Sequence, residues 1–302
     1  MILHKFEQGL RWMSNNKRLS ILAVVLAAVL WGSTGTLQAL LPEHKQPLVV
    51  GALRLYFAAI YLLVIAVIFG QKLVSSILRA PILIAFSGLF MMLYNMLFFA
   101  AVLKSGVGLG TAITIGSAPI WALLFEIFIF KSKYGLNKLI GAFLAIIGIS
   151  ILMLSVDPGS WSGQGFLLAL FSGLSYAFYA LCTSRIVKKI SHHNSAAWTF
   201  LLAAIFSTPV FMFYPFAWAF SSDSIYNLIF LGTVATGIAY SVYTFGLKHL
   251  SPSSAVTLSI AEPITAVLLA TIILRESLST IQFLAVLVII LGFFLTSKSE
   301  AD

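Results

Sequence analysis

Apolar residues fill this chain in long runs with short polar interruptions between them. Such runs cover 19–41, 48–70, 80–103, 107–130, 138–156, 163–184, 196–219, 225–247, 254–274 and 280–297. Crossing about 30 Å of hydrocarbon takes about 20 residues at a helical rise of about 1.5 Å, so each run suits one span. None has the strict alternation of a membrane barrel strand, and a backbone in lipid has to satisfy its polar groups internally. The pattern predicts an all-α polytopic membrane protein with ten transmembrane helices.

Charge orients these spans. With the N-terminus placed inside, Lys5, Arg11, Lys17, Arg18, Lys72, Arg79, Lys131, Lys133, Lys138, Arg185, Lys188, Lys189, Lys248 and Lys298 fall on the inner side, and only Lys45, Lys104 and Arg275 on the outer. The positive-inside rule then puts both termini in the cytoplasm. The first run has no convincing cleavage site and reads as a retained helix, not a removed signal. The expected organisation is a cytoplasmic N-terminal segment at 1–18, five helices in 19–156, five more in 163–297, and a cytoplasmic tail at 298–302.

The two groups of five repeat one another. Pro119 and Pro263 lie deep in spans and 144 positions apart, and the same shift aligns Phe86 with Phe230, Gly88 with Gly232, Lys104 with Lys248, Lys131 with Arg275 and Gly148 with Gly292. An odd number of spans per repeat inverts the second copy in the membrane. Inverted repeats of this kind suit alternating access around a midplane site.

Composition narrows the function. Of 302 residues, 60% are hydrophobic and 9% charged, which is outside the range of a soluble domain. The net charge of +9 is spread over loops and not clustered with aromatics, so no nucleic-acid partner is expected; the partners are a lipid bilayer and a small-molecule substrate. The single cysteine, Cys182, excludes an internal disulfide and a cysteine-rich metal site. No dinucleotide, phosphate-loop or zinc-peptidase pattern is present, and no cofactor or metal is expected; His192 and His193 have no partner at ligand spacing.

Four segments carry a family resemblance: W-G-S-T-G-T at Trp31–Thr36, A-L-R-L-Y-F at Ala52–Phe57, S-A-P-I-W-A-L-L from Ser117, and A-E-P-I-T-A-V-L-L-A-T-I-I-L-R-E-S-L-S-T-I-Q-F from Ala261. In order, spacing and duplication the chain from 19 to 297 resembles the EamA family of the drug/metabolite transporter superfamily. The resemblance implies two inverted five-helix repeats with a cavity lined mainly by helices one, three, four, six, eight and nine. The first repeat departs from it in having Lys131-Ser132-Lys133 where the second has Arg275-Glu276-Ser277, so Glu276 is read as a local loop residue.

The candidate site residues are polar or bent positions inside spans. Proline removes a helical hydrogen bond, so Pro119 and Pro263 predict helix breaks facing the bundle interior. Glu262 lies about 12 Å into its helix, where a lipid-facing carboxylate is too costly. It either couples or gates transport, by proton exchange, or satisfies helix ends beside Pro263. Arg54 either snorkels outward or pairs with an anionic group. Trp31, Asn95, Tyr176, Tyr179 and Tyr240 are expected to line the cavity, with Ser33, Ser117 and Ser259 beside them. Glu126 is read as interfacial, and Trp12, Trp161 and Trp218 as interfacial anchors.

Together these features predict a secondary transporter, not an enzyme, in a bacterial cytoplasmic (inner) membrane. It would move a small organic solute, an amino acid or related metabolite, with export favoured by the resemblance. The alternatives are a passive channel or lipid scrambler and, further off, an intramembrane enzyme, which would need paired acids or a nucleophile and base that the spans do not offer.

Overall fold

The computed structural model describes residues 2–42, 45–131, 135–154, 162–259, 261–273 and 279–301. The expectations for Ser132, Lys133, Trp161, Arg275, Glu276 and Ser277 lie outside the described residues. Within them the chain is helical and has no strand: α1 (Ile2–Ala39), α2 (Pro47–Ile68), α3 (Leu73–Ile77), α4 (Pro81–Phe130), α5 (Leu136–Leu154), α6 (Gly163–Ile186), α7 (His192–Ser207), α8 (Val210–Phe213), α9 (Ser222–Gly232), α10 (Ala239–Gly246), α11 (Pro252–Leu258), α12 (Ala261–Ile273) and α13 (Thr280–Ala301). A 3₁₀ turn spans Ala217–Phe220, and a π-helical stretch, Thr233–Ile238, joins α9 to α10.

Local sequence explains most of the starts and stops. Serine side chains cap α6, α7 and α11, with Ser162, Ser191 and Ser251 accepting from the backbone N–H of Gly165, Asn194 and Ser254. Pro47, Pro81 and Pro252 sit in first turns, where the missing N–H costs nothing. After α2 the chain leaves through Gly70 at φ +63°, the left-handed position that glycine fills at helix ends.

Among the described residues, six helices are long and apolar enough to cross a membrane, and shorter apolar stretches cover Ile113–Ile129, Leu139–Ile151 and Phe283–Gly292. Side-chain placement is inverted relative to a water-soluble bundle. Phe128, Phe143, Leu22, Ile272 and Phe294 point outward, while Arg54, Glu126, Ser87 and Thr199 are buried.

Three elements differ from the sequence expectation. The two stretches predicted at 80–103 and 107–130 fall within one continuous helical element, α4. It nevertheless folds back on itself: a Cβ on Gly110 would lie 3.1 Å from the backbone nitrogen of Val102, whereas eight residues of straight helix rise about 12 Å. The predicted span at 196–219 starts earlier, at His192, and is over by Phe213. The predicted span at 254–274 is interrupted between Leu258 and Ala261, so Pro263 follows a break, while α4 runs unbroken through Pro119. Next to Pro263 the Ser259 carbonyl accepts from the Glu262 N–H at 3.0 Å, which replaces the bond that the proline ring cannot make.

The helices pack as a set of exchanged pairs. The hairpin of α4 packs on α6 and α7, α5 on α13, α2 on α7 and on the π-helical stretch, and α1 on α10 and α12. Two glycines 144 positions apart make the same contact. A Cβ at Gly88 would meet the Thr199 carbonyl at 3.2 Å and the Cβ of Leu202; one at Gly232 would meet the Arg54 carbonyl at 3.2 Å and the Cβ of Phe57. Such small residues let membrane helices approach closely without a hydrophobic driving force.

Candidate substrate site

The site is built around α1 and the interrupted helix formed by α11 and α12. Gly32 lets α1 close on α12, since a Cβ there would lie 2.9 Å from the Glu262 carbonyl. This approach sets Trp31 and Glu262 side by side as shared walls of two neighbouring spaces. The inner one, of about 10 Å³, is lined by Trp31, Tyr94, Thr114, Ile115, Ala118, Tyr176, Val256, Ser259 and Glu262. That is near the lower limit for one water.

The outer one is a cavity of about 310 Å³ that starts at Trp31, Ile115, Glu262 and Pro263 and reaches Lys45 and Pro47 beyond the end of α1. Its walls are mostly apolar, from Phe98, Val102 and Ala266, with Thr34, Gln38 and Thr111 as the uncharged polar groups between Lys45 and Glu262. Such a size and mixture suit a small organic molecule. At its mouth Lys45 donates to the Leu41 and Pro42 carbonyls at 3.3 and 3.4 Å, which holds the ammonium at the C-terminal end of α1. On the other side of Ser259, every residue of α11 is buried.

Aromatic rings form the back of the site. The Trp31 ring centre lies 4.6 Å from that of Tyr240, 5.1 Å from Tyr243 and 6.3 Å from Tyr176, and Tyr94 lies 5.0 Å from Tyr176. The indole N–H of Trp31 and the hydroxyls of Tyr176 and Tyr243 are buried and form no hydrogen bond of ordinary geometry among the described residues.

Arg54 is only 5% exposed, so it does not snorkel. Its Nε donates to Thr236 Oγ1 at 2.9 Å, and Thr236 donates in turn to the Leu231 carbonyl, five residues back, at 2.7 Å. The π-helical stretch therefore turns Thr236 toward α2, a local widening that recurs at functional places. The Arg54 charge acts on Glu262 at a distance, and no ion pair joins the two among the described residues.

Of the residues expected to line the cavity, Trp31, Tyr176, Ser259 and Glu262 come together there, and Pro263 joins them in the outer part. Tyr240 and Tyr179 are packed behind them, with ring centres 5.8 Å apart. Ser33 donates to the Leu30 carbonyl at 2.7 Å and Ser117 to the Thr114 carbonyl at 3.3 Å, so both serve their own helices. Asn95 is buried beside Gly51 and its amide has no hydrogen-bond partner among the described residues. Pro119 is buried within α4. The His193 ring stacks on Phe69 with ring centres 4.7 Å apart, and the His192 ring lies tilted against it at 4.0 Å.

Sequence reasoning missed Thr34, Gln38, Lys45 and Thr111. The first two lie three and seven residues after Trp31, on one helical face with it, and that spacing is the signal that could have found them.

Comparison with known proteins decides the family. The model of the EamA-like transporter family matches residues 18–154 and again 163–298. The chain belongs to this family. An uncharacterized transporter of Bacillus subtilis, YwfM, is 34% identical over 92% of this chain and 93% of its own length. An uncharacterized inner membrane transporter of Salmonella typhimurium, YicL, is 25% identical over 93% of this chain and 95% of its own. A probable amino-acid metabolite efflux pump of the same organism is 23% identical over 90% and 92%. A solved crystal structure superposes with a TM-score of 0.77 at 19% identity, covering 91% of this chain and 95% of that one, a likeness of fold. This EamA-like protein is thus an integral membrane protein of a transporter family.

Proposed function

We propose that this protein is a secondary active transporter that carries a small organic solute by alternating access between inverted repeats. The carrying observation is a cavity that runs from Lys45 to Trp31 and Glu262, with α11, buried along its whole length, packed beyond Ser259. An inner end packed in this way favours a carrier over an open channel. The matched contacts of Gly88 and Gly232 support two halves of similar fold, and the charge bias supports ten spans with both termini cytoplasmic. With that topology the mouth near Lys45 faces outward.

The solute is an amino acid or related metabolite, moved outward. Glu262 accepts the amine or exchanges a proton at the cavity floor, and the apolar wall holds the rest of the molecule. The probable amino-acid metabolite efflux pump among its relatives supports this class, and relatives named as inner membrane transporters support a bacterial cytoplasmic membrane. The test is transport in proteoliposomes under an imposed pH gradient. Glu262→Gln keeps the shape of the side chain and removes its ionisation, so the fold should persist while gradient dependence is lost. Unchanged gradient dependence would remove Glu262 from coupling.

A further inference from the structure

Glu126 stands apart from the site and is 1% exposed. It lies in the last turns of α4, and its carboxylate crosses to the start of α11. The Ser253 N–H donates to Glu126 Oε1 at 2.9 Å, and the Ser253 hydroxyl donates to Oε2. A buried carboxylate held by charge-assisted bonds at the positive end of a helix is a strong local tie.

The tie has a definite place in the fold. α11 is a short helix with this contact at one end and its stop at Leu258 at the other, and Glu262 lies in the first turn of the next helix, α12. It is packed between α4, α6, α13 and α1, and its Val256 lines the inner space beside Ser259 and Glu262. For the site to open toward that side, α11 has to leave the end of α4.

We infer that the Glu126–Ser253 contact is the inner latch of the transport cycle, a positioning element that holds α11 closed while the cavity is open beside Lys45. This rests on the alternating-access reading above. Release of the latch lets α11 swing about the interruption, exposing Ser259 and Glu262 to the cytoplasm. In the halves' alignment Ala270 and Leu109 stand where Glu126 and Ser253 would repeat, so the latch is one-sided, and its loss biases the cycle toward the inward-open form.

The test uses the full chain with Cys182→Ser and Ser259→Cys, in inside-out and right-side-out membrane vesicles, with a membrane-impermeant maleimide. With the latch intact, labelling of Ser259→Cys is slow, because the space it lines holds little more than one water, and what labelling occurs comes from the outer side. Adding Glu126→Gln should raise its rate of labelling from the cytoplasmic side about tenfold, the change expected for about 1.4 kcal/mol. Ser253→Ala should act in the same direction with a smaller change, and Ser253→Thr, which keeps the hydroxyl, should label like the parent. If Glu126→Gln does not fold, the Ser253 pair gives the answer. Labelling that is side-specific and unmoved by all three substitutions overturns the latch and leaves alternating access standing. Equal labelling from both sides in the parent also overturns the latch, whereas flux through the parent without counterflow, the mark of an open path, overturns alternating access itself.

Discussion

Arg54 Nε donates to Thr236 Oγ1 at 2.9 Å inside the bundle, so the cation of α2 is tied to the π-helical stretch in the other half of the chain. Thr236→Val keeps the shape and removes the acceptor, leaving a buried charge short of a partner. It should lower stability by about 1–3 kcal/mol, read as a lower thermal midpoint in detergent. Thr236→Ser should retain most of it.

The two matched glycine contacts should respond alike. Gly88→Leu and Gly232→Leu each drive a side chain into a facing backbone and Cβ, and each should cost about 1–3 kcal/mol or more, measured as loss of monodisperse protein. Gly163→Ala meets nothing within 4 Å and should stay within about 0.5 kcal/mol.

Tyr176 separates binding from folding. Its hydroxyl is buried and makes no hydrogen bond of ordinary geometry among the described residues, so Tyr176→Phe should leave the thermal midpoint unchanged or raise it. If that hydroxyl meets substrate, KM should rise about two- to tenfold, the worth of one hydrogen bond. A lower midpoint with unchanged KM would make it a packing residue.

Trp31 is shared by both parts of the site and packs on Tyr240 and Tyr243. Trp31→Ala should therefore lose both stability, by about 3–5 kcal/mol, and transport. Trp31→Phe should keep the fold and weaken saturation at low substrate concentration. Thermal melts and initial uptake rates on the same preparations separate the two effects.

Much of the helical plan was legible because the runs of apolar residues match the length that hydrocarbon demands. The boundaries that went astray share one cause. Hydropathy records how apolar a stretch is and not where its backbone turns. Small residues around Gly110 let the chain reverse within α4, and a run of apolar residues hides the end of α11 at Leu258. Glu262, Trp31, Tyr176 and Ser259 could be found because a charged or aromatic group deep in a span needs an inward place. The partners of Glu126 and Arg54 could not, since Ser253 and Thr236 lie 127 and 182 residues away and nothing in local periodicity links them. Ser33 and Ser117 were attractive by proximity to Trp31 and Pro119, but serine in a helix readily bonds to its own preceding turn.

Counterflow is the most direct measurement of the central claim, that a cavity with one mouth at a time carries solute past Glu262. Proteoliposomes loaded with unlabelled amino acid, in the absence of any ion gradient, should transiently concentrate the labelled form from outside, with rates that saturate. Flux that rises linearly with concentration and shows no transient accumulation, for substrates that the protein demonstrably passes, would contradict it.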